Sequence, residues 1–330
     1  MTENFKSISV VLPNYNGKHL LEKYIPSVYQ ALHQSQLDFE FIVIDDCSCD
    51  GSVEFIQQHY PKIQLIKNLY NAGFSYTCNQ GIQHASKDLI LLLNSDVELT
   101  PDYFEKQLGY FNLPDTFGVM GCIMNFDGKK IEDAARMPKF KGFKFKANRF
   151  YYVEDTGHLT FTCYLSGANA LIDRKKLIML NGFDEIYSPF YFEDFDLGLR
   201  AWKMGWSLYY EHKAVCFHQI SSSTNKLNKS NFVKIIYNRN SFILQSIHLN
   251  GTKRTLWYVQ LFTLTLLGHF IKGDFWILKS LKQFLMMHTD IARSRHKNRQ
   301  LQKQVDVNIS LENIIDTIKN SITGKKTKWL

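Results

Sequence analysis

The run Leu89-Ile90-Leu91-Leu92-Leu93 is five apolar residues with no polar alternation, and it is closed by Asn94-Ser95-Asp96-Val97-Glu98. A strand that is apolar on both faces is buried on both, as in a parallel sheet covered by helices. Upstream, Ile8–Leu12 ends at Pro13, Phe39–Ile44 ends at Asp45-Asp46, and Ile63–Ile66 makes a third short run. Between them lie helical signals: Leu21, Ile25, Val28 and Leu32 at helical spacing, then Gly51–His59 and Ser75–Ala85. Downstream, Thr100-Pro101 predicts a helix start, a capping hydroxyl followed by proline at the first helical position. The alternation predicts a doubly wound, mostly parallel α/β sheet. Ligands of such sheets sit beyond the carboxyl ends of the strands. The residues to inspect are therefore Pro13-Asn14-Tyr15, Asp45-Asp46, Asn71–Gly73 and Asn94–Glu98.

The chain has 330 residues, 45% hydrophobic and 21% charged, a composition that builds a sizeable core and excludes a disordered chain. From Lys253 onward there are 14 Lys/Arg against 5 Asp/Glu; before it, 25 against 26. A neutral body thus carries a basic tail, which suits phosphate-bearing partners. The six cysteines form no C-x-x-C pair, which fits free thiols in a reducing compartment. Met1–Ser7 is polar and Ile8–Leu12 is too short for a signal-peptide core, so the chain reads as cytoplasmic.

The middle, from about Val119 to Phe217, is more mixed. Phe161–Ile172 reads as a strand region interrupted at Ser166-Gly167, Glu193–Lys203 as a helix, and Trp206–Tyr210 and Ala214–Phe217 as strands. The last third differs. Thr255–Ile271 has no Asp, Glu, Lys or Arg and is rich in Leu, Phe, Trp and Tyr, but its 17 residues fall short of the ~20 a spanning helix needs. Phe275–Met287 follows with Lys279 and Lys282, then Arg293, Arg295, Lys297 and Arg299. An apolar-aromatic face beside lysines suits a helix lying in a membrane interface; the other reading is helices packed on the body or in a homodimer. The aromatic helices ahead of the basic tail favour a membrane over nucleic acid. The division expected is a main domain over 1–250, in two halves at 1–118 and 119–250, and a helical, amphipathic and basic region over 251–330.

No G-x-G-x-x-G follows the first strand, and no G-x-x-x-x-G-K-[ST] occurs, so neither a dinucleotide fingerprint nor a P-loop is present. Instead, carboxylates cluster at strand ends. Asp45-Asp46 and the Asn94–Glu98 group would face one crevice, where oxygen ligands suit Mg2+ or Mn2+ shared with substrate phosphates. Singly, each is also what a solvated turn or helix cap uses. A second cluster, Glu193-Asp194-Phe195-Asp196, opens a predicted helix. It is either an acidic first turn favoured by the helix dipole or the place of a general base beside a sugar-sized pocket.

Together these stretches resemble the inverting family-2 glycosyltransferases of the GT-A fold, the bacterial type that includes rhamnosyl- and galactofuranosyltransferases. The resemblance is carried, in order, by Val10–Gly17, Val43–Ser48 with Asp50-Gly51-Ser52, Asn71–Phe74 with Asn79 and Gly81, and Leu92–Leu99. It continues through Gly167-Ala168, Gly182–Glu185, Glu193–Leu197 with Arg200, Gly205-Trp206, and His218 followed by Ser221, over roughly residues 7–245. It implies that Asp46 accepts the N3–H of a uracil or thymine and that Pro13-Asn14-Tyr15 lies under the nucleotide. Asn71, Gly73 and Asn79 belong to the donor side. Asn94-Ser95-Asp96 stands where the family has its D-x-D metal motif; Asn94 removes one charge and leaves Asp96 as the main ligand, with Glu98 helping through water. His218 completes the metal shell. Asp194 is the catalytic base with Glu193 beside it toward the acceptor, and Gly167 and Arg200 fall on the acceptor side. The expected reaction moves a sugar from a UDP- or dTDP-sugar to a hydroxyl of a glycan or polyprenyl-linked glycan, with inversion, in bacterial surface polysaccharide synthesis. The expected site of action is peripheral, at the inner face of the cytoplasmic membrane. Two other classes stand beside this one. A sugar nucleotidyltransferase would carry a Gly- and Arg-rich loop after the first strand, where this chain has Pro13–Gly17. A non-catalytic glycosyltransferase-like module would lack the acids, whereas Asp46, Asp96 and Asp194 are all present.

Overall fold

The computed structural model describes residues 7–154, 159–219, 231–305 and 307–330; Ser221 of the reading above lies outside them. The apolar runs become strands β1 (Ser7–Asn14), β2 (Asp38–Asp45), β3 (Gln64–Lys67) and β4 (Leu89–Leu93), and α1 (Lys18–Ser35), α2 (Ser52–His59) and α3 (Phe74–His84) connect them. β1 pairs in parallel with both β2 and β4, and β2 with β3. Side chains alternate between two cores, because successive residues of a strand point to opposite faces. Val10, Leu12, Leu91 and Leu93 pack with α1 residues such as Leu21 and Ile25, whereas Val11, Ile90 and Leu92 pack with Cys78 and Ile82 of α3.

The second half makes the sheet mixed rather than mostly parallel. After the short β5 (Val97–Leu99) come β6 (Thr116–Asn125) and β7 (Ile131–Asp133), then β8 (Ala135–Lys141), β9 (Lys144–Val153) and β10 (Thr160–Phe161). They are followed by β11 (Asn169–Asp173), α4 (Arg174–Met179), α5 (Glu193–Lys203) and β12 (Ser207–His218). The order in the large sheet is β10-β12-β6-β11-β4-β1-β2-β3. β11 runs antiparallel to both β4 and β6. The two predicted strands after α5 are one strand, β12, with an irregularity between Glu211 and Val215. Thr100-Pro101 does not start an α-helix: turns are followed by a 3-10 helix at Leu108–Asn112. The Thr100 hydroxyl donates to the Val215 carbonyl at 2.9 Å, and Tyr103 and Phe104 are drawn fully into the core.

The C-terminal third is helical: α6 (Asn231–His248), α7 (Gly251–Gln260), a π-turn at Leu261–Thr265, α8 (Leu266–Ile271), α9 (Ile277–Met286), α10 (His288–Gln304) and α11 (Leu311–Ser321). Trp257, Leu261, Ile277, Phe284, Ile291 and Ile314 lie in the same core cluster as β6 and α5 residues. These helices therefore pack on the body. Their other face keeps Leu256, Val259, Phe262, Leu264 and Leu267 exposed. Among the described residues no helix is long and apolar enough to cross a membrane. The chain ends in β13 (Thr327–Trp329), which pairs with β9 and completes a second sheet, β13-β9-β8.

Candidate active site

Register sets the place of the site. β1 faces β2 up to Asn14↔Asp45 and β4 up to Val11↔Leu92. The residues that end these strands, Pro13-Asn14-Tyr15, Asp45-Asp46 and Asn94-Ser95-Asp96, therefore share one edge. β11 runs the other way, with Asn169 facing Leu93, so Gly167-Ala168 just before it arrives at that edge. The Asn94 amide donates to the Ala168 carbonyl at 3.1 Å. β12 is parallel to β6 and ends at this edge too, at His218.

At the end of β2, Asp46 is 5% exposed. Its Oδ1 accepts from Asn68 Nδ2 at 2.8 Å and the Ala72 N–H at 2.9 Å, and its Oδ2 from the Gly73 N–H at 3.0 Å. A carboxylate has about four acceptor positions, so one remains for a further donor. Gly73 has φ +88°, and a Cβ there would lie 3.0 Å from the Pro189 carbonyl oxygen, so only glycine lets the Asn71–Gly73 loop close on Asp46. Asn14 Nδ2 donates to Asp45 Oδ1 at 3.0 Å, while its Oδ1 is buried without a partner. Tyr15, 55% exposed, and Asn71 flank the mouth. Ser95 lies against Gly17. Asn79 is turned elsewhere: its amide bonds the Phe183 backbone and Glu185 Oε1, tying α3 to the Gly182–Glu185 loop.

The β5–β12 pairing brings Asp96 to His218. Asp96 Oδ2 lies 3.3 Å from His218 Nε2, and His218 Nδ1 lies 2.8 Å from Glu132 Oε2. Burial pulls the His218 pKa down, but the two carboxylates outweigh it and raise it to about 9. Among the described residues no group of three His, Cys, Asp or Glu side chains is arranged to hold a metal ion. Asp96 Oδ1, however, is buried and has no hydrogen-bond partner. An orphaned carboxylate oxygen at a strand end fits a hard cation whose other ligands are substrate phosphates and water. Asp96 and His218 would hold such an ion, with Glu132 orienting the imidazole.

The three acids at the start of α5 have three different environments. Asp196, fully buried, accepts from Arg200 Nε at 2.6 Å and the Tyr187 hydroxyl at 3.1 Å, and His248 Nε2 lies 2.8 Å away. Arg200 also donates to the Leu180 and Gly182 carbonyls, so its guanidinium positions the loop before α5 and is not held out toward an acceptor. Asp194 accepts from the Phe195 N–H at 2.7 Å and borders, with Gly167, a void of about 10 Å³ otherwise lined by core residues such as Leu92, Phe117 and Ile172. Glu193 is buried, and its Oε2 has no partner. Burial raises the proton affinity of both Glu193 and Asp194. The Asp194 charge adds to the rise at Glu193, while the Phe195 amide and Arg136 restrain it at Asp194. Asp194 is thus the member of the pair that stays ionised. Arg136 is itself fixed by Asp133 through two bonds of 3.0 Å.

Removing Asp196 leaves Arg200 as an uncompensated buried charge. Asp196→Ala is expected to cost about 3–5 kcal/mol of stability, read from a urea unfolding midpoint. The same network sets an acid limb. Burial, then the Lys203 charge, lower the His248 pKa to about 4. The unfolded chain binds that proton near pH 6.5, the folded chain only near 4, so stability falls as pH drops through this window. His248→Gln should flatten that limb.

Tyr191 and Phe192, just before the acids, both have left-handed backbone, φ 74° and 77°. Two such non-glycine residues in succession need support from outside. Asn240, fully buried on α6, supplies it: its Nδ2 lies 2.6 Å from the Tyr187 carbonyl and 2.9 Å from those of Phe190 and Tyr191. Asn240→Ala should cost about 1–3 kcal/mol and lower kcat more than it raises donor KM, because the turn that aims Asp194 relaxes. Asn240, Arg136, Glu132, Asn68 and His248 were not singled out by sequence reading. The one visible signal was the polar run Asn238-Arg239-Asn240-Ser241 between the apolar stretches Ile235–Tyr237 and Phe242–Leu244 of α6. A cavity of about 760 Å³ lies between the Met179–Ser188 segment and α10; it includes Asn79 and Arg200 but not Asp46, Asp96 or Asp194. The strand-end crevice, where those acids gather, is the better candidate.

Comparison with known proteins places the chain by family and fold. The sequence model described as Glycosyl transferase family 2 matches residues 9–178, just over half of the chain. The putative teichuronic acid biosynthesis glycosyltransferase TuaG of Bacillus subtilis is 30% identical over 138 residues, 40% of this chain and 51% of that protein. The chain thus spans about half of TuaG. The N-acetylglucosaminyl-diphospho-decaprenol L-rhamnosyltransferase of Mycobacterium tuberculosis is 23% identical over 318 residues, 89% of this chain and 97% of that protein. Among solved structures, GalNAc-T7 with UDP, GalNAc and Mn2+ superposes with TM-score 0.60 at 14% identity, covering 97% of this chain and 58% of that one. S. aureus TarS 1-349 with UDP-GlcNAc superposes with TM-score 0.54 at 12% identity, covering 91% and 90%. At these identities the structures speak for the fold.

Proposed function

Since the chain belongs to glycosyl transferase family 2, we propose that it transfers a sugar from a pyrimidine nucleoside-diphosphate donor to a hydroxyl of a lipid-linked glycan, with inversion. Supporting this reading is the convergence on one sheet edge of the Asp46 loop, Asp96 and Gly167-Ala168, with Asp194 near Gly167 at the start of α5. The rhamnosyltransferase relative, named for a decaprenol-linked substrate, points to the same acceptor class.

The nucleotide half of the reading is residues 1–118. The remaining acceptor position of Asp46 takes the base N3–H, with Tyr15 and Pro13 under the ring and Asn14, Asn71 and Gly73 around the ribose and phosphates. Asn79 contributes by fixing the loop at Gly182–Glu185. The acceptor half, 119–250, carries Asp194, Glu193 and Gly167. Asp194 takes the proton from the acceptor hydroxyl as its oxygen attacks the anomeric carbon from the face opposite the diphosphate. One displacement inverts the configuration, and no sugar–enzyme bond forms. Glu193, protonated, stays neutral beside it. Asp96 and His218 would hold a Mg2+ or Mn2+ ion, whose chemistry there would be to neutralise the charge that grows on the leaving diphosphate. Residues 251–330 hold the enzyme peripherally on the inner face of the cytoplasmic membrane, where such an acceptor resides.

The test is a transfer screen with the purified full chain, a panel of UDP-, dTDP- and GDP-sugars, Mg2+ or Mn2+, and polyprenyl-linked acceptors. Turnover of a uracil or thymine donor is expected. Turnover of a purine donor alone overturns the assignment of Asp46.

A further inference from the structure

Arginines that converge without acids are costly unless an anion joins them. On the C-terminal helices, Arg254 of α7 and Arg295 and Arg299 of α10 line one cavity of about 350 Å³ together with Tyr258, His288 and His296. No carboxylate lines it. Arg295 is 9% exposed and lines the cavity; its Nη1 donates to the Ser246 and Leu249 carbonyls at the end of α6, which fixes the guanidinium there. Burial, then the charges of Arg254 and Arg299, lower its pKa to about 10. The side chains of Arg254 and Arg299 have no hydrogen-bond or ion-pair partner among the described residues.

The helices that carry this cavity also expose apolar side chains: Phe262, stacked on Tyr258, Leu256 and Val259 farther round α7, and Leu285 and Met286 just before His288. A basic pocket set in an exposed apolar surface matches a ligand that carries phosphate at one end and hydrocarbon at the other. The pocket is not part of the reaction site. It gathers at the carboxyl end of α6, beside His248 and Lys203, and Lys203 lies nine residues along α5 from Asp194, about 13 Å of helix. We propose that Arg254, Arg295 and Arg299 form a binding site for the phosphate of an anionic membrane lipid, seating the exposed faces of α7–α9 in the bilayer. This rests on the peripheral membrane reading above and gives it a discrete headgroup site in place of a diffuse basic tail.

The test uses the full chain, because α7–α11 fill the core and a truncated chain would not isolate the surface. Flotation is measured with phosphatidylcholine vesicles, neutral or containing phosphatidylglycerol. Two double variants of equal charge change are compared, Arg254→Gln with Arg299→Gln, and Lys303→Gln with Lys319→Gln, the latter on exposed residues of α10 and α11. Partitioning to anionic vesicles should fall roughly tenfold or more for the arginine pair and much less for the lysine pair. Equal losses overturn the site in favour of diffuse charge. Equal flotation of the wild type on neutral and anionic vesicles keeps membrane docking but removes the headgroup site. No flotation at all removes the membrane reading itself. Inorganic phosphate is the remaining arm: if it raises the melting temperature of the wild type and not of the arginine pair, while anionic vesicles recruit neither, the pocket serves a soluble phosphate and the lipid assignment fails.

Discussion

Asp194→Asn should transfer sugar at least ~10²-fold more slowly than the wild type, the scale of a lost general base, while binding the donor unchanged. Asn keeps the shape and can still face the Phe195 N–H at the start of α5, but it cannot take a proton. Donor binding should be separated from this change, because the residues proposed to hold the nucleotide, Asp46 and the Asn71–Gly73 loop bonded to it, share no hydrogen bond with Asp194. The measurements are initial rates at saturating donor and an independent binding titration with the nucleotide sugar. A near-normal rate would transfer the base role to Glu193, whose buried Oε2 has no partner. The pH profile carries a second signature. Burial raises the proton affinity of Asp194, so the acid limb of kcat should lie above the ordinary aspartate range and should disappear in the variant.

Asp96→Ala should abolish transfer to at least ~10²-fold below wild type, since a divalent cation supplies several kcal/mol of charge stabilisation to a leaving diphosphate. Excess EDTA should do the same to the wild type, and added Mn2+ or Mg2+ should restore it. With Asn94 in the first position of the motif, affinity for the free ion should be low and should rise when nucleotide diphosphate is present. His218→Gln should weaken the ion's hold with a smaller loss. Full activity in EDTA would take the metal out of the mechanism. Loss of activity in Asp96→Ala with unchanged metal dependence would instead reduce Asp96 to holding His218, 3.3 Å away.

The parallel half was legible because its strands are buried on both faces: uninterrupted apolar runs such as Leu89–Leu93 announce themselves, and their last residues mark the crevice. The antiparallel half was not. β8 and β9 mix lysines and arginines with phenylalanine and tyrosine, because they form a small sheet with a wet face, and their pattern is neither alternating nor continuous. The acids at 193–196 were visible as a cluster, and Arg200 on the same helix was a visible partner for one of them, but the sequence does not tell that Asp196 is the one it pins in a buried ion network; that depends on His248 of α6 and Arg136 of β8 arriving from two other elements. Glu132 is likewise a long-range partner, 86 positions before His218. Thr100-Pro101 misled for a simple reason: local capping chemistry was overruled by the burial of Tyr103 and Phe104.

β13 has a consequence for how the chain is made. Thr327–Trp329 zips onto Tyr151–Val153, which leave the ribosome some 170 residues earlier. The β1–β4 half can settle while synthesis continues, since its pairings close early and domains fold from the amino end. The hairpin β8–β9, by contrast, carries an open strand edge until nearly the whole helical third has been synthesised, and an open edge is a template for unwanted pairing. Such late, distant closure slows folding, because loop entropy must be overcome before the contact is gained. A nascent chain stalled inside α10 would therefore hold a formed β1–β4 half beside a β8–β9 hairpin whose edge is still open.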